Sequence, residues 1–264
     1  MTVRTTIEKA RAEGRAALIG YLPVGFPDVE TSVAAMRAMV AGGVDIVEVG
    51  LPYSDPLMDG PVIQRATEAA LAAGTQTRDA FTAVRGVVDA GAPALVMTYW
   101  NLVDRYGVDR FADDLATAGG SGLITPDLIP DEAAQWQAAS DAHDLDRVYL
   151  VALTSTPQRL AMTANASRGF VYAASLMGVT GERNSVGAGA RDLVERVKAV
   201  TDVPVCVGLG VSNGVQAAQV AAFADGVIVG SAFVRALIDA PDRQSGIAAV
   251  EAIARDLAEG VRSA

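Results

Sequence analysis

The chain has 264 residues, half of them apolar but only 5% aromatic, and a formal net charge of −10. That balance argues against a nucleic-acid or anionic-membrane surface, both of which are bound through clustered Lys and Arg. The single cysteine, Cys206, and single histidine, His143, exclude an internal disulfide and a zinc site of His and Cys type. No apolar run is long enough to span a bilayer and the polar N-terminus lacks the apolar segment of a secretory signal, so the cytoplasm is the expected compartment.

Apolar and β-branched runs alternate with Ala-rich segments of helical spacing. In chain order they predict a strand over Ala17–Val24, a helix over Val29–Ala41, a strand over Asp45–Val49, and helices over Gln64–Ala73 and Thr77–Ala90. A strand over Ala94–Tyr99 and a helix over Asp109–Ala118 follow, then a strand over Gly122–Pro126 and a helix over Asp131–Ala142. The remainder reads as strands over Val148–Leu153 and Phe170–Ser175, a helix over Ala190–Val200, a strand over Val203–Gly208, a helix over Gly214–Phe223 and a strand over Val227–Gly230. Alternation of this kind demands parallel pairing, and eight units close into a barrel more readily than they form an open, doubly wound sheet. The expected architecture is one α/β domain over residues 1–264, a (β/α)8 TIM barrel, because no linker or low-complexity tract divides the chain. His143 falls in a polar stretch that reads as a helix end, a poor setting for a nucleophilic triad.

In such a barrel the chemistry sits where the strands end and their following loops begin. Glu48 lies inside an apolar strand on the face opposite Val47 and Val49, which directs it into the barrel mouth. Low polarity there raises a carboxyl pKa, as a general acid or base near neutrality requires, and no inward cation is evident as a purely structural partner. Asp59 follows in a loop stiffened by Pro52, Pro56 and Pro61, long enough to fold back over the mouth. Asp55 competes with it for the second proton-handling role, and either Asp beside Pro or Gly reads equally well as a turn residue.

Glycines follow strands six, seven and eight, as Gly178-Val179-Thr180-Gly181, Gly208-Leu209-Gly210 and Gly230-Ser231. Close backbone N–H groups and a helix N-terminus at these positions can hold a phosphate without a lysine, and Ser231 adds a hydroxyl. The polar, glycine-rich stretch Gly178–Ala190 reads as a lid, or else as an ordinary loop. Tyr172 alternates with apolar neighbours and either presents its hydroxyl near Glu48 or fills the core.

The segment VEVGLPYSDPLMDGPVIQ at 47–64 closely resembles the signature of the tryptophan synthase α-subunit family. The resemblance runs on through Tyr99-Trp100-Asn101-Leu102, Asp127, Gly178-Val179-Thr180-Gly181, Val207-Gly208-Leu209-Gly210-Val211 and Val229-Gly230-Ser231-Ala232. It implies retro-aldol cleavage of indole-3-glycerol phosphate, with Glu48 as the acid/base at indole C3 and the glycerol hydroxyl, and Asp59 as the carboxylate at the indole N–H. By the same resemblance Gly181, Gly210, Gly230 and Ser231 hold the phosphate, and Tyr172 and Thr180 pack by the catalytic pair. Tyr21, Met97, Asp127 and Leu209 then form the indole pocket walls. No metal or organic cofactor is implied on this chain; pyridoxal phosphate is expected only in a β-subunit partner, met through the Pro52–Asp59 loop in an α2β2 complex. The chain departs from the family pattern at Leu176, where many relatives carry Arg, and at Tyr21 and Leu209, which replace commoner phenylalanines. Another phosphate-binding barrel, such as a phosphoribosyl isomerase, would share the glycines without the Glu48 and Asp59 loop. An interaction subunit whose main task is to activate its partner is the alternative of a different class.

Overall fold

Eight strands pair in chain order, every neighbour parallel, and β1 closes onto β8. They are β1 (Ala17–Pro23), β2 (Ile46–Gly50), β3 (Ala94–Met97), β4 (Gly122–Thr125), β5 (Asp146–Ala152), β6 (Val171–Ala174), β7 (Val205–Gly208) and β8 (Gly226–Val229). This is the expected (β/α)8 TIM barrel, here a computed structural model that describes residues 2–174, 188–208 and 210–264.

The helices are α1 (Val3–Ala12), α2 (Val29–Ala41), α3 (Pro61–Ala72), α4 (Thr77–Asp89), α5 (Trp100–Tyr106), α6 (Val108–Thr117), α7 (Ala134–Ala142), α8 (Pro157–Ala166), α9 (Ala188–Lys198), α10 (Gly214–Ala221), α11 (Ser231–Asp239) and α12 (Arg243–Arg262). Local chemistry marks many of their starts. Asp28, Thr156, Asn213 and Asp242 each accept a hydrogen bond from a first-turn N–H, and Pro61 and Pro157 open helices at positions where a missing N–H costs nothing. Among the described residues no helix is long and apolar enough to cross a membrane.

The strands are apolar on both faces because both faces are covered. Their inward residues form a small core inside the barrel, with Ile19, Ile46, Leu95, Ile124, Val148, Phe170, Cys206 and Ile228, which α1 closes from below with Val3, Ile7 and Ala10. Their outward residues, among them Val47, Val49, Val96, Leu123, Val151 and Val207, belong to the larger core beneath the helices. At the N-terminal end of the barrel Arg15 bonds Asp45 through two nitrogens, at 2.7 and 2.9 Å, and Asp45 also accepts from Leu18 N–H, which ties the start of β2 to β1.

Of the boundaries that differ from expectation, three have clear local reasons. Strand β3 stops at Met97, because Tyr99 becomes the N-cap of α5. The expected helix over Asp131–Ala142 divides at Ala133 into a 3-10 turn (Pro130–Glu132) and α7, whose C-cap is His143. Strand β5 begins at Asp146, whose N–H bonds Ser121 C=O, while the side chain of Arg147 leaves the strand to bond Gln137 C=O and Ser140 Oγ near the end of α7.

Candidate active site

Alternation along β2 sends Ile46, Glu48 and Gly50 inward, and a single cavity at the C-terminal mouth collects what surrounds them. Its walls include Tyr21, Glu48, Asp59, Met97, Leu150, Tyr172, Gly208, Gly210, Ile228, Gly230 and Ser231. Glu48 is fully buried, and among the described residues neither of its carboxylate oxygens has a hydrogen-bond partner. Burial with no compensating cation pushes its pKa from 4.5 to about 8. A carboxyl so placed is protonated at neutral pH and has a proton to give.

Asp59 stands one residue before Gly60, the N-cap of α3. Its C=O accepts from Gln64 Nε2 at 2.8 Å, and burial lifts its carboxyl to about 6. The competing carboxylate, Asp55, bonds Ser54 Oγ at 2.6 Å and does not line the cavity. The loop that carries Asp59 is held by Tyr99, whose hydroxyl oxygen accepts from Leu57 N–H at 3.0 Å and Met58 N–H at 3.1 Å, while its ring stacks on Tyr53 at 4.8 Å. The sequence offered only one hint of this, Tyr99 standing in the quoted Tyr99-Trp100-Asn101-Leu102 run.

Tyr21 pairs with Glu48 in the register of β1 and β2. Its ring lies between the two flanking strands: a Cβ added at Gly230 would stand 3.1 Å from Tyr21 Cδ1, and one added at Gly50 only 2.4 Å from Tyr21 Oη. Tyr172 repeats the arrangement on β6, where its hydroxyl would lie 2.4 Å from a Cβ at Gly208. Glycines in neighbouring strands thus give room for tyrosine rings to lie across the mouth.

At the ends of β7 and β8 the backbone is open to the cavity. Gly210 adopts φ +66°, a left-handed conformation that a side chain would disfavour. Gly230 is the N-cap of α11 and supplies no side-chain hydrogen bond, and with Ser231 it brings the start of that helix to the wall of the cavity. Such a terminus, with the Ser231 hydroxyl, suits an anion.

The expected site residues therefore fall into three groups. Glu48, Asp59, Tyr172, Tyr21, Met97, Gly210, Gly230 and Ser231 share the cavity. Asp127 does not: its carboxylate turns away to accept from Trp100 N–H at 2.9 and 3.1 Å, capping α5. Thr180, Gly181, Leu209, Leu176 and the expected lid through residue 187 lie outside the described residues, and residues 188–190 already belong to α9.

Fold and site together define a barrel whose mouth brings a buried carboxyl and a helix start into one cavity, an arrangement suited to an enzyme that moves protons on an anionic substrate. Residues 7–262 match the model of the family described as tryptophan synthase alpha chain. The tryptophan synthase alpha chain of Thermobifida fusca is 62% identical over 268 residues, 100% of this chain and 99% of that one. A structure of Mycobacterium tuberculosis tryptophan synthase superposes with a TM-score of 0.93 at 62% identity, covering 98% of both chains. The alpha subunit from Legionella pneumophila keeps a TM-score of 0.91 at only 32% identity, covering 100% of both. The chain belongs to the tryptophan synthase alpha chain family. It is accordingly a carbon–carbon lyase of tryptophan biosynthesis, which cleaves indole-3-glycerol phosphate to indole and glyceraldehyde 3-phosphate for a β-subunit.

Proposed function

We propose that Glu48 and Asp59 divide the proton chemistry of this cleavage between them. Glu48, protonated at neutral pH, gives its proton to indole C3. Asp59, largely ionised there, accepts the hydrogen bond of the indole N–H and stabilises the positive charge that C3 protonation leaves on the ring. Glu48, now a carboxylate, takes the proton of the adjacent glycerol hydroxyl as the bond from C3 to that carbon breaks. The bonding electrons return to the ring as indole, and the carbon becomes the aldehyde of glyceraldehyde 3-phosphate. Two carboxyl groups whose surroundings set them apart, at about 8 and about 6, suit these separate tasks.

Gly210, Gly230 and Ser231 hold the phosphate; Tyr21, Met97 and Tyr172 bound the aromatic end. The reading uses no cofactor on this chain and assigns pyridoxal phosphate to the β partner. We infer further that the 264 residues act as one barrel domain in the cytoplasm, within an α2β2 assembly that meets its partner through the Pro52–Asp59 loop, where Leu57 is 80% exposed.

The observation that carries the reading is the unpartnered, fully buried carboxyl of Glu48 in the cavity that Gly230 and Ser231 also line. Glu48→Gln keeps the size and removes the proton, so turnover should fall by at least a hundredfold while glycerol phosphate binding, measured by calorimetry, stays within threefold. Turnover above a tenth of wild type would refute the assignment.

A further inference from the structure

Three loops at the barrel mouth are joined by backbone hydrogen bonds to side chains. The Asp127 carboxylate, beyond β4, receives Trp100 N–H and so anchors the first residue of α5. The residue before it, Tyr99, is the N-cap of α5 and is 7% exposed, its ring fixed against Tyr53. Its hydroxyl oxygen takes two consecutive amides, Leu57 and Met58, and the next residue is Asp59. Two amides converging on one phenol oxygen fix the local path of the chain, and the side chain that follows leaves in a set direction.

We propose that Tyr99 is a positioning residue for Asp59, with Asp127 as its anchor: the hydroxyl fastens the loop one residue short of the carboxyl that meets the substrate. This rests on the reading of Asp59 given above. Asp127 then contributes to the reaction through α5 and Tyr99 rather than as part of the indole pocket wall. The arrangement matters for rate more than for binding, because the phosphate is held by β7 and β8 while small displacements of a catalytic group are costly.

Tyr99→Phe keeps the ring and its stacking but removes the hydroxyl oxygen to which Leu57 N–H and Met58 N–H both donate. With indole glycerol phosphate as substrate, and the β-subunit present, kcat should fall about tenfold while KM stays within twofold. Amide hydrogen exchange at Leu57 and Met58 should accelerate at least tenfold, a readout independent of the chemistry. Asp127→Ala should reproduce both effects and Asp127→Asn, whose Oδ1 still accepts from Trp100 N–H, should largely restore them. Wild-type kcat together with wild-type exchange in Tyr99→Phe overturns the proposal. So does an Asp127→Ala variant that raises KM and leaves the exchange untouched, since that is the behaviour of a direct substrate contact. An Asp59→Asn variant that still turns over overturns instead the reading of Asp59 on which the proposal stands.

Discussion

The hydroxyl of Tyr21 occupies the space that a side chain at position 50 would need. A Cβ on Gly50 would meet Tyr21 Oη at 2.4 Å, Cζ at 2.5 Å and Cε2 at 2.6 Å, and the ring has little freedom to retreat because its other edge lies over Gly230. Gly50→Ala should therefore drive the ring into the cavity. The expected cost is about 1–3 kcal/mol of stability from overpacking, with kcat/KM lowered at least tenfold. Thermal unfolding and steady-state kinetics read both, and a variant with wild-type values in each would show that the ring yields freely.

If Glu48 and Asp59 divide the proton chemistry as proposed, their two carboxyl groups set the pH range of the reaction. Glu48 must hold its proton and Asp59 must be ionised, so kcat/KM should decline as pH rises through about 8 and also as pH falls through about 6. The lower limb is read after correction for the titration of the free phosphate ester, measured in parallel. A rate that stays level from pH 6 to beyond pH 9 is incompatible with this division of labour.

The same burial ties Glu48 to folding. Its pKa in the folded chain, about 8, lies above the ordinary value of 4.5, so the folded state binds the extra proton between those limits and stability falls as pH rises through that window. Glu48→Gln removes the dependence. The variant should match wild type near pH 5 and exceed it at pH 9 by on the order of a few kcal/mol, measured by urea unfolding at each pH. The raised carboxyls of Asp59 and Asp146 are common to both proteins and cancel in the comparison. A pH-independent difference between the two would count against an ionised, unpaired carboxylate in the core.

Gly210→Val tests the phosphate cradle. At φ +66° a β-branched residue is strained, and its side chain would enter the space where the anion meets the backbone. KM for indole glycerol phosphate should rise at least tenfold, with a smaller effect on kcat. An unchanged KM would leave the cradle without its proposed occupant.

Much of this was legible in the chain itself, for physical reasons. A period of two places Glu48 inward whatever the exact strand ends, and glycines after β7 and β8 matter through the backbone, which needs no knowledge of packing. What was not legible depends on how loops meet. Nothing in the spacing of Tyr99 says that β3 ends two residues before it, or that its hydroxyl reaches Leu57 and Met58. Asp127 was placed in the pocket by resemblance, yet a carboxylate beside a helix start competes equally well for a backbone N–H, and here that contact wins. Helices α1, α5, α8, α11 and α12 were not among the expected segments; α5 is too short to show a periodicity, and α12 is an addition to the eightfold alternation that packs on α2 and α10.

Strand β1 stands between β8, which ends at the anion cradle, and β2, which carries Glu48. Two strand spacings amount to roughly 10 Å, and hydrogen bonding around a closed barrel keeps that figure from drifting. On the proposed reading, with the Tyr21 ring laid across the gap, a tether one carbon longer or shorter would seat its anion yet leave the scissile bond out of register with the proton donor. On that reading selection for chain length follows from sheet geometry and would survive wholesale exchange of the side chains that face the aromatic ring.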